Sequence, residues 1–523
     1  MPKQQTNHLF QLIKSLSRSE KRNFRLYVNR SQNNEGSKFL QLFELMDKQE
    51  KYDEKELLSK ARDMKPQQLP NLKAHLYKQL LKSLRFQHVS SEPEIQIREG
   101  IDSAKVLYNK GLYKQTLKML EKTKALAEKY QKPILRLEIV EFEKLIELQY
   151  ITKSIENRAE VLTSEANKTG EEIERSRKYS NLALKLYGLY LKVGSVRNKK
   201  DMLMVSQFFS SQFQPPENIN QCSFYEQLYI YQVYVWYYHI IQDYVMCYKY
   251  SQKWVDLFRE NPEMIYNQTD MYLKGMNNLL VSLHMTRYHV RFRQELQRLA
   301  HLPDQNEIPY TDNNIILYSL FKYTHTINGH FLDGTFDEGV KMIPEINSFI
   351  ENNRRHLDNH RILVFYYKIA SLYFGSGDYK SAIHYLNYIL NYRDITLRED
   401  IHCFSRILNL LSHFELGNDE LIEYQVKSTY RFLSKLDNLQ QVQRHILDFL
   451  RKLSHIERAD LKENFKKLHD KLVSLEDNPF EQRAFLYLDL ISWLESKIQE
   501  RPVQEIIQEK AIREKDTSKH YSS

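Results

Sequence analysis

Residues Tyr366–Leu390 read YYKIASLYFGSGDYKSAIHYLNYIL, and the fold is legible in them. Tyr366, Ile369, Ala370 and Tyr373 recur at i, i+3, i+4 and i+7, the spacing of one helix face. Tyr379, Ala382 and Leu386 repeat that spacing beyond a break at Gly375-Ser376-Gly377-Asp378. Small Ala370 and Ala382 let two helices approach closely, and Gly377 can take the left-handed conformation that ends the first of them. Tyr379 opens the second helix and fills the corner. The stretch predicts an antiparallel helical hairpin.

Weaker copies lie on both sides. Ala104, Leu107, Tyr108, Gly111, Tyr113 and Leu120 form one, Phe331, Gly334, Phe336 and Ile343 another, and Phe414, Gly417 and Val426 a third. With Tyr379 as the marker position, turns are expected near residues 113, 155, 196, 244, 288, 336, 379 and 419. The order of residues resembles the tetratricopeptide repeat (TPR), with an aromatic, a Leu-Gly/Ala pair and a Tyr on its first helix. In that repeat a Gly-x-Tyr turn then leads to Ala and a bulky residue on the second helix. The match departs in two ways: Asp394 stands where a closing Pro is usual, and the markers are about 44 residues apart instead of about 34. The resemblance implies an all-α chain whose residues 97–500 wind into a right-handed superhelix, an α-solenoid of about eight or nine long-helix hairpins. Pro215-Pro216, and Pro303 with Pro309, mark loops in the two longest intervals.

Residues 1–90 do not fit this repeat and predict a small helical unit, with helices near 7–16, 19–28, 37–49, 53–62 and 70–87 and a nine-residue connection, Asn29–Ser37. A join near Val89–Glu94 separates it from the array. Beyond Arg501-Pro502 a last helix is expected to about residue 514, and Asp516–Ser523 reads as a disordered tail, so 501–523 forms a third segment.

Composition agrees with long helices. Among 523 residues there are 13 Gly and 13 Pro, about a third and about half of their usual frequencies, with 42% hydrophobic residues. Cys222, Cys247 and Cys403 form no C-x-x-C pair and no disulfide framework, so a reducing cytoplasm is the expected compartment. The N-terminus lacks the apolar core of a secretory signal, and the most apolar stretch, Leu228–Ile241, is too short to span a bilayer. The net charge of +9 is concentrated: residues 1–90 hold 18 Lys+Arg against 9 Asp+Glu, and the remainder balances.

Two constellations stand out. Arg18, Lys21, Arg22 and Arg25 share one helix face, and Lys78, Lys82 and Arg85 lie at i, i+4 and i+7 on another. These stripes suit phosphate contacts; the plainer alternative is a solvated helix face. The long Asn29–Ser37 connection argues against a helix-turn-helix, whose turn is three or four residues. An anionic lipid surface is a third reading of this end. The second constellation is Phe224–Tyr250, with Tyr at 225, 229, 231, 234, 237, 238, 244, 248 and 250. One helix cannot bury so many rings, so some must pack between repeats and others face a groove or solvent; core packing between repeats is the plainer reading.

Catalytic motifs are missing. There is no Walker loop, nucleophile elbow, kinase signature or H-E-x-x-H, and His356 and His360 have no companion ligands nearby in sequence. Neither a metal nor a cofactor is expected. The expected function is a non-enzymatic scaffold binding a peptide or another protein in the groove of the array, with Tyr231, Tyr234, Tyr238, Asn278 and Tyr366 as candidate groove residues. The alternative is a regulator in which residues 1–90 contact nucleic acid and the repeats act as sensor or docking arm. Ala370, Tyr373, Gly377, Tyr379 and Ala382 are expected to serve the hairpin itself.

Overall fold

The computed structural model describes residues 8–30, 34–61, 64–88, 92–149, 157–193, 195–196, 198–304, 308–309, 311–392, 399–433, 441–453, 456, 460–476, 478, 480–481, 485 and 489–520. Among them helix predominates and no strand occurs, as the hairpin reading predicts. The helices pack in neighbouring pairs, consistent with a helical repeat.

The chain forms two compact units, Met1–Ile173 and Glu174–Ser523. The first holds α1 (His8–Ser15), α2 (Arg18–Arg30), α3 (Asn34–Lys48), α4 (Glu54–Lys60) and α5 (Leu69–His88). These five share an apolar cluster in which Phe24, Leu42, Phe43, Met46, Leu57, Leu76 and Leu80 are almost fully buried. The expected nine-residue connection is absent, because α2 continues to Arg30 and α3 begins at Asn34. Exposed Asn29 continues α2, and no apolar period marks such an end. Next come α6 (Pro93–Asn109), α7 (Tyr113–Lys129) and α8 (Pro133–Gln149), packed around Ile97, Ala104, Leu120 and Ile139. Buried Glu143 accepts from Lys124 at 2.7 Å.

The marker at 155 lies outside the described residues. A single helix, α9 (Arg158–Val193), runs 36 residues where the markers at 155 and 196 predict the second helix of one hairpin and the first of the next. Neither Gly170 nor Gly188 interrupts it. Residues 158–173 of α9 belong to the first unit and 174–193 to the second.

The second unit continues with α10 (Lys199–Gln212), α11 (Phe224–Ile240), α12 (Tyr244–Glu260), α13 (Pro262–Asn267), α14 (Thr269–Met285) and α15 (His289–His301). There follow α16 (Asp312–Asp333), α17 (Phe336–Val340), α18 (Ile343–Asn352), α19 (Asn359–Gly375), α20 (Tyr379–Leu390), α21 (Glu399–Glu415) and α22 (Asp419–Leu433). The chain ends with α23 (Gln441–Leu453), α24 (Leu461–Glu476), α25 (Leu490–Gln499) and α26 (Val503–His520). First helices of hairpins are buried on several sides: α14 hides Tyr272, Leu273, Met276, Leu279, Leu280 and Leu283. A second helix such as α20 buries one stripe, Ala382, Leu386 and Ile389.

One turn recurs. Gly111, Gln242, Arg287, Gly334, Gly377 and Gly417 all have positive φ, and each stands two residues before a second helix, α7, α12, α15, α17, α20 or α22. At Gly377 the amide donates to the Phe374 carbonyl and the next amide, of Asp378, donates to Tyr373, closing the helix end. The Asp378 carboxylate then accepts from the Ser381 amide and caps α20. Asp243 does the same for α12. Tyr379 opens its helix, and Ala370 and Ala382 are fully buried between the two helices.

Helix α26 breaks the neighbour-only pattern of a linear array. It runs to His520, past the residue 516 where a disordered tail was expected, while 521–523 lie outside the described residues. A left-handed Glu500 (φ 56°) ends α25 and turns the chain into it. From there α26 crosses the hairpin ends near α15 and α16. Gln508 Nε2 donates to the Gly334 carbonyl at 2.9 Å, and Glu514 accepts from Arg287 at 3.1 Å and pairs with His289 at 2.7 Å. Lys515 meets Asp333 at 3.1 Å.

Two glycines separate the turn from this docking. A Cβ at Gly377 meets nothing within 4 Å, whereas one at Gly334 falls 2.9 Å from the Gln504 carbonyl oxygen and the Gln508 amide nitrogen. Gly377→Ala should therefore lower unfolding stability by about 1–2 kcal/mol through backbone strain alone. Gly334→Ala should cost more in urea denaturation and should also expose α26 to limited proteolysis, which Gly377→Ala should not.

Candidate functional site

The aromatic segment becomes a slab across α10, α11 and α12. Ser223 and Glu226 form a capping box that starts α11. The Tyr234 and Tyr250 rings stack at 4.0 Å and 11°. Tyr238 lies parallel to Tyr250 at 5.7 Å, and Phe213 meets Tyr234 edge-on at 4.9 Å. Phe209 stacks on Tyr237 at 3.8 Å. Tyr234, Tyr238 and Tyr250 are half-buried. Burial, reinforced by the neighbouring Tyr250, pushes the Tyr238 hydroxyl up to about 12 and raises Tyr234 as well. Both stay neutral at any physiological pH and present a ring face and a hydroxyl without charge.

The five candidate groove residues separate. Tyr234 and Tyr238 share the slab. Tyr231 is 4% exposed, packs in the core and has no surface left for a partner. Helical rotation explains the difference, since Tyr231 shares its face with Leu228 and Val235, both fully buried. Asn278 on α14 spends its amide on the Lys274 carbonyl at 2.8 Å. Tyr366 on α19 belongs to a second tyrosine group, 5.2 Å from Tyr388 and 5.9 Å from Tyr385.

The basic face also divides. Lys21 pairs with Asp47 at 2.7 Å, Arg25 with Glu44 at 2.6 Å, and Arg85 with Asp102 at 2.9 Å. Lys21 and Arg25 thus tie α2 to α3, and Arg85 ties α5 to α6. Arg18, Arg22, Lys78 and Lys82 are exposed, and no ion pair joins them to a described residue. With α2 ending at Arg30 and α3 starting at Asn34, connection length no longer excludes a helix-turn-helix.

A buried polar thread crosses three first helices. His325 of α16 contacts Asn277 of α14 at 3.0 Å and Asn328 at 3.3 Å, and Lys368 of α19 donates to Asn328. Burial, with Lys368 nearby, holds His325 well below the usual histidine range. Burial with Lys368 and Arg287 pushes His284 down to about 3. Sequence reading missed these groups, because a His or Asn on an apolar helix face reads as an interruption until its partner on the next helix is known. Among the described residues no group of three or more His, Cys, Asp or Glu could hold a metal ion. Cys222 is half-buried and Cys247 and Cys403 are buried, all as free thiols. No described helix is long and apolar enough to cross a membrane.

Compared with known proteins, the chain matches no family model, no curated protein and no solved structure.

Half-buried His284 and fully buried His325 set an acid limit. Their folded pKa values lie below the unfolded value near 6.5, so they contribute stability above that pH and lose it as pH falls through 6.5. Each should cost about 1.4 kcal/mol per pH unit below 6.5. Urea midpoints measured from pH 7.5 to 5 should fall for the native chain, and His325→Asn should flatten that slope even where it lowers stability at pH 7.5.

Proposed function

We propose that the chain is a non-enzymatic protein-interaction scaffold. In this reading the TPR-like hairpins continue as a right-handed superhelix of about eight or nine hairpins, and a peptide or partner protein lies along their first helices. The slab of Tyr234, Tyr238 and Tyr250 carries the reading. Rigid, uncharged, half-buried rings offer large contact area at low entropic cost and hydroxyls for directional bonds. Three free thiols suit a reducing cytoplasm as the place of action.

Affinity purification of the full chain with and without nuclease tests the reading. A defined protein that survives nuclease, and is lost from the Tyr238→Ala/Tyr250→Ala variant while the fold is retained, is the expected result. Recovery of the same protein by that variant removes the slab from the interaction.

Arg18, Arg22, Lys78 and Lys82, exposed and without an ion pair among the described residues, favour a second reading, a regulator whose N-terminal residues meet nucleic acid through phosphate contacts. On this reading Arg18→Glu with Lys82→Glu should weaken duplex DNA binding in a mobility-shift assay and flatten its salt dependence, whatever the duplex sequence. Lys21 and Arg25, engaged with Asp47 and Glu44, should contribute to stability instead.

A further inference from the structure

Helices α2 and α5 share an exposed outer face. Arg18, Arg22 and Leu26 recur at i, i+4 and i+8 on α2, and Lys78, Lys82 and Phe86 do so on α5. Such spacing sets each trio in one line along its helix. Both lines lie opposite the residues that their helices bury, Phe24 and Val28 on α2 and Leu76 and Leu80 on α5. Those four belong to one core, so the two lines face out of it on the same side. Tyr27 joins the helices, bonding Gln79 at 3.1 Å and lying 6.2 Å from the Phe86 ring.

The positive charge of this face has no countercharge on its own helices. α5 contains no Asp or Glu, and α2 contains only Glu20, whose carboxylate accepts from the Ser17 amide at 2.7 Å. On α3, Glu44 and Asp47 pair with Arg25 and Lys21. The face is also rich in apolar area: Phe86 is 66% exposed, Leu26 49%, Leu81 44% and Tyr77 39%. Single exposed apolar side chains are ordinary, but four of them among such cations on two adjoining helices mark an interaction surface. Phosphate contacts alone leave the leucines without a role, and aliphatic side chains offer no ring on which a base could stack. The interface of an anionic bilayer uses both kinds of residue, drawing in the cations electrostatically and burying the apolar groups.

We propose that this face docks the chain on the surface of a bilayer rich in anionic phospholipid. Arg18, Arg22, Lys78 and Lys82 meet headgroup phosphates, while Leu26, Leu81 and Phe86 enter the boundary between headgroups and acyl chains. Tyr77 sets its ring in that boundary and its hydroxyl toward water. This surface uses none of the tyrosine slab of the scaffold reading, and it competes with nucleic acid for the same four cations.

Flotation of the full-length chain with vesicles of phosphatidylcholine alone, and of phosphatidylcholine mixed with phosphatidylserine, tests it. The chain should float with the mixed vesicles and stay at the bottom with phosphatidylcholine alone. Lys78→Glu with Lys82→Glu should weaken partitioning roughly thirty-fold or more, at about five-fold for each lost cation. Leu26→Ser with Phe86→Ser should also release the chain, and because both side chains are exposed that variant should keep the native melting temperature. The vesicle comparison uses the native chain and stands whatever becomes of a variant. Retention at the bottom with mixed vesicles, equal flotation with both vesicle types, or full flotation of the folded Leu26→Ser/Phe86→Ser variant would overturn the proposal. Binding of duplex DNA by a native chain that does not float would assign the cations to nucleic acid instead.

Discussion

Every hairpin with a recurring turn depends on one backbone constraint: a single residue forced to positive φ two positions before the second helix. With that residue left-handed, two amides fold back onto the last carbonyls of the first helix and the chain reverses within three residues. Four positions use Gly, which takes this conformation freely. Gln242 and Arg287 take it at a cost, and both have a second occupation. Gln242 donates to the Val196 carbonyl at 2.9 Å, and Arg287 bonds Glu514. The conformation is kept where a long-range bond compensates for losing Gly.

Tight reversal forces neighbouring helices together, and the rest of the second unit follows. First helices lie between neighbours on both sides and bury apolar residues around much of their circumference, as α14 and α19 do. A polar group inside such a layer must find a partner on the next first helix, hence the line from Asn277 through His325 and Asn328 to Lys368. Second helices keep a polar outer face. Rings that exceed the capacity of the layer, as on α11 and α12, spread into a half-buried slab.

Much of this was readable along the chain. Tyr113, Tyr244, Phe336, Tyr379 and Asp419 open second helices at the marker positions, and Val196 and Tyr288 fall in turns. These positions were legible because turn chemistry and apolar period are local properties. Tyr231 was misplaced for a different reason: on a helix apolar around most of its circumference, no periodicity tells which tyrosines face outward. The basic stripes were legible as stripes, but Asp47, Glu44 and Asp102, which engage three of their seven members, lie up to 26 residues away in sequence.

The sequence by itself determined an all-helical chain of hairpins, the sites of most turns and the basic character of residues 1–90. All of these follow from interactions spanning a few residues. Tertiary structure decided which side chains are free to act. The merger of two expected helices into α9 and the return of α26 onto hairpin ends more than 170 residues earlier also belong to it. Each of these depends on which surfaces meet in space, and a helical period carries no information about the partner its apolar face will find.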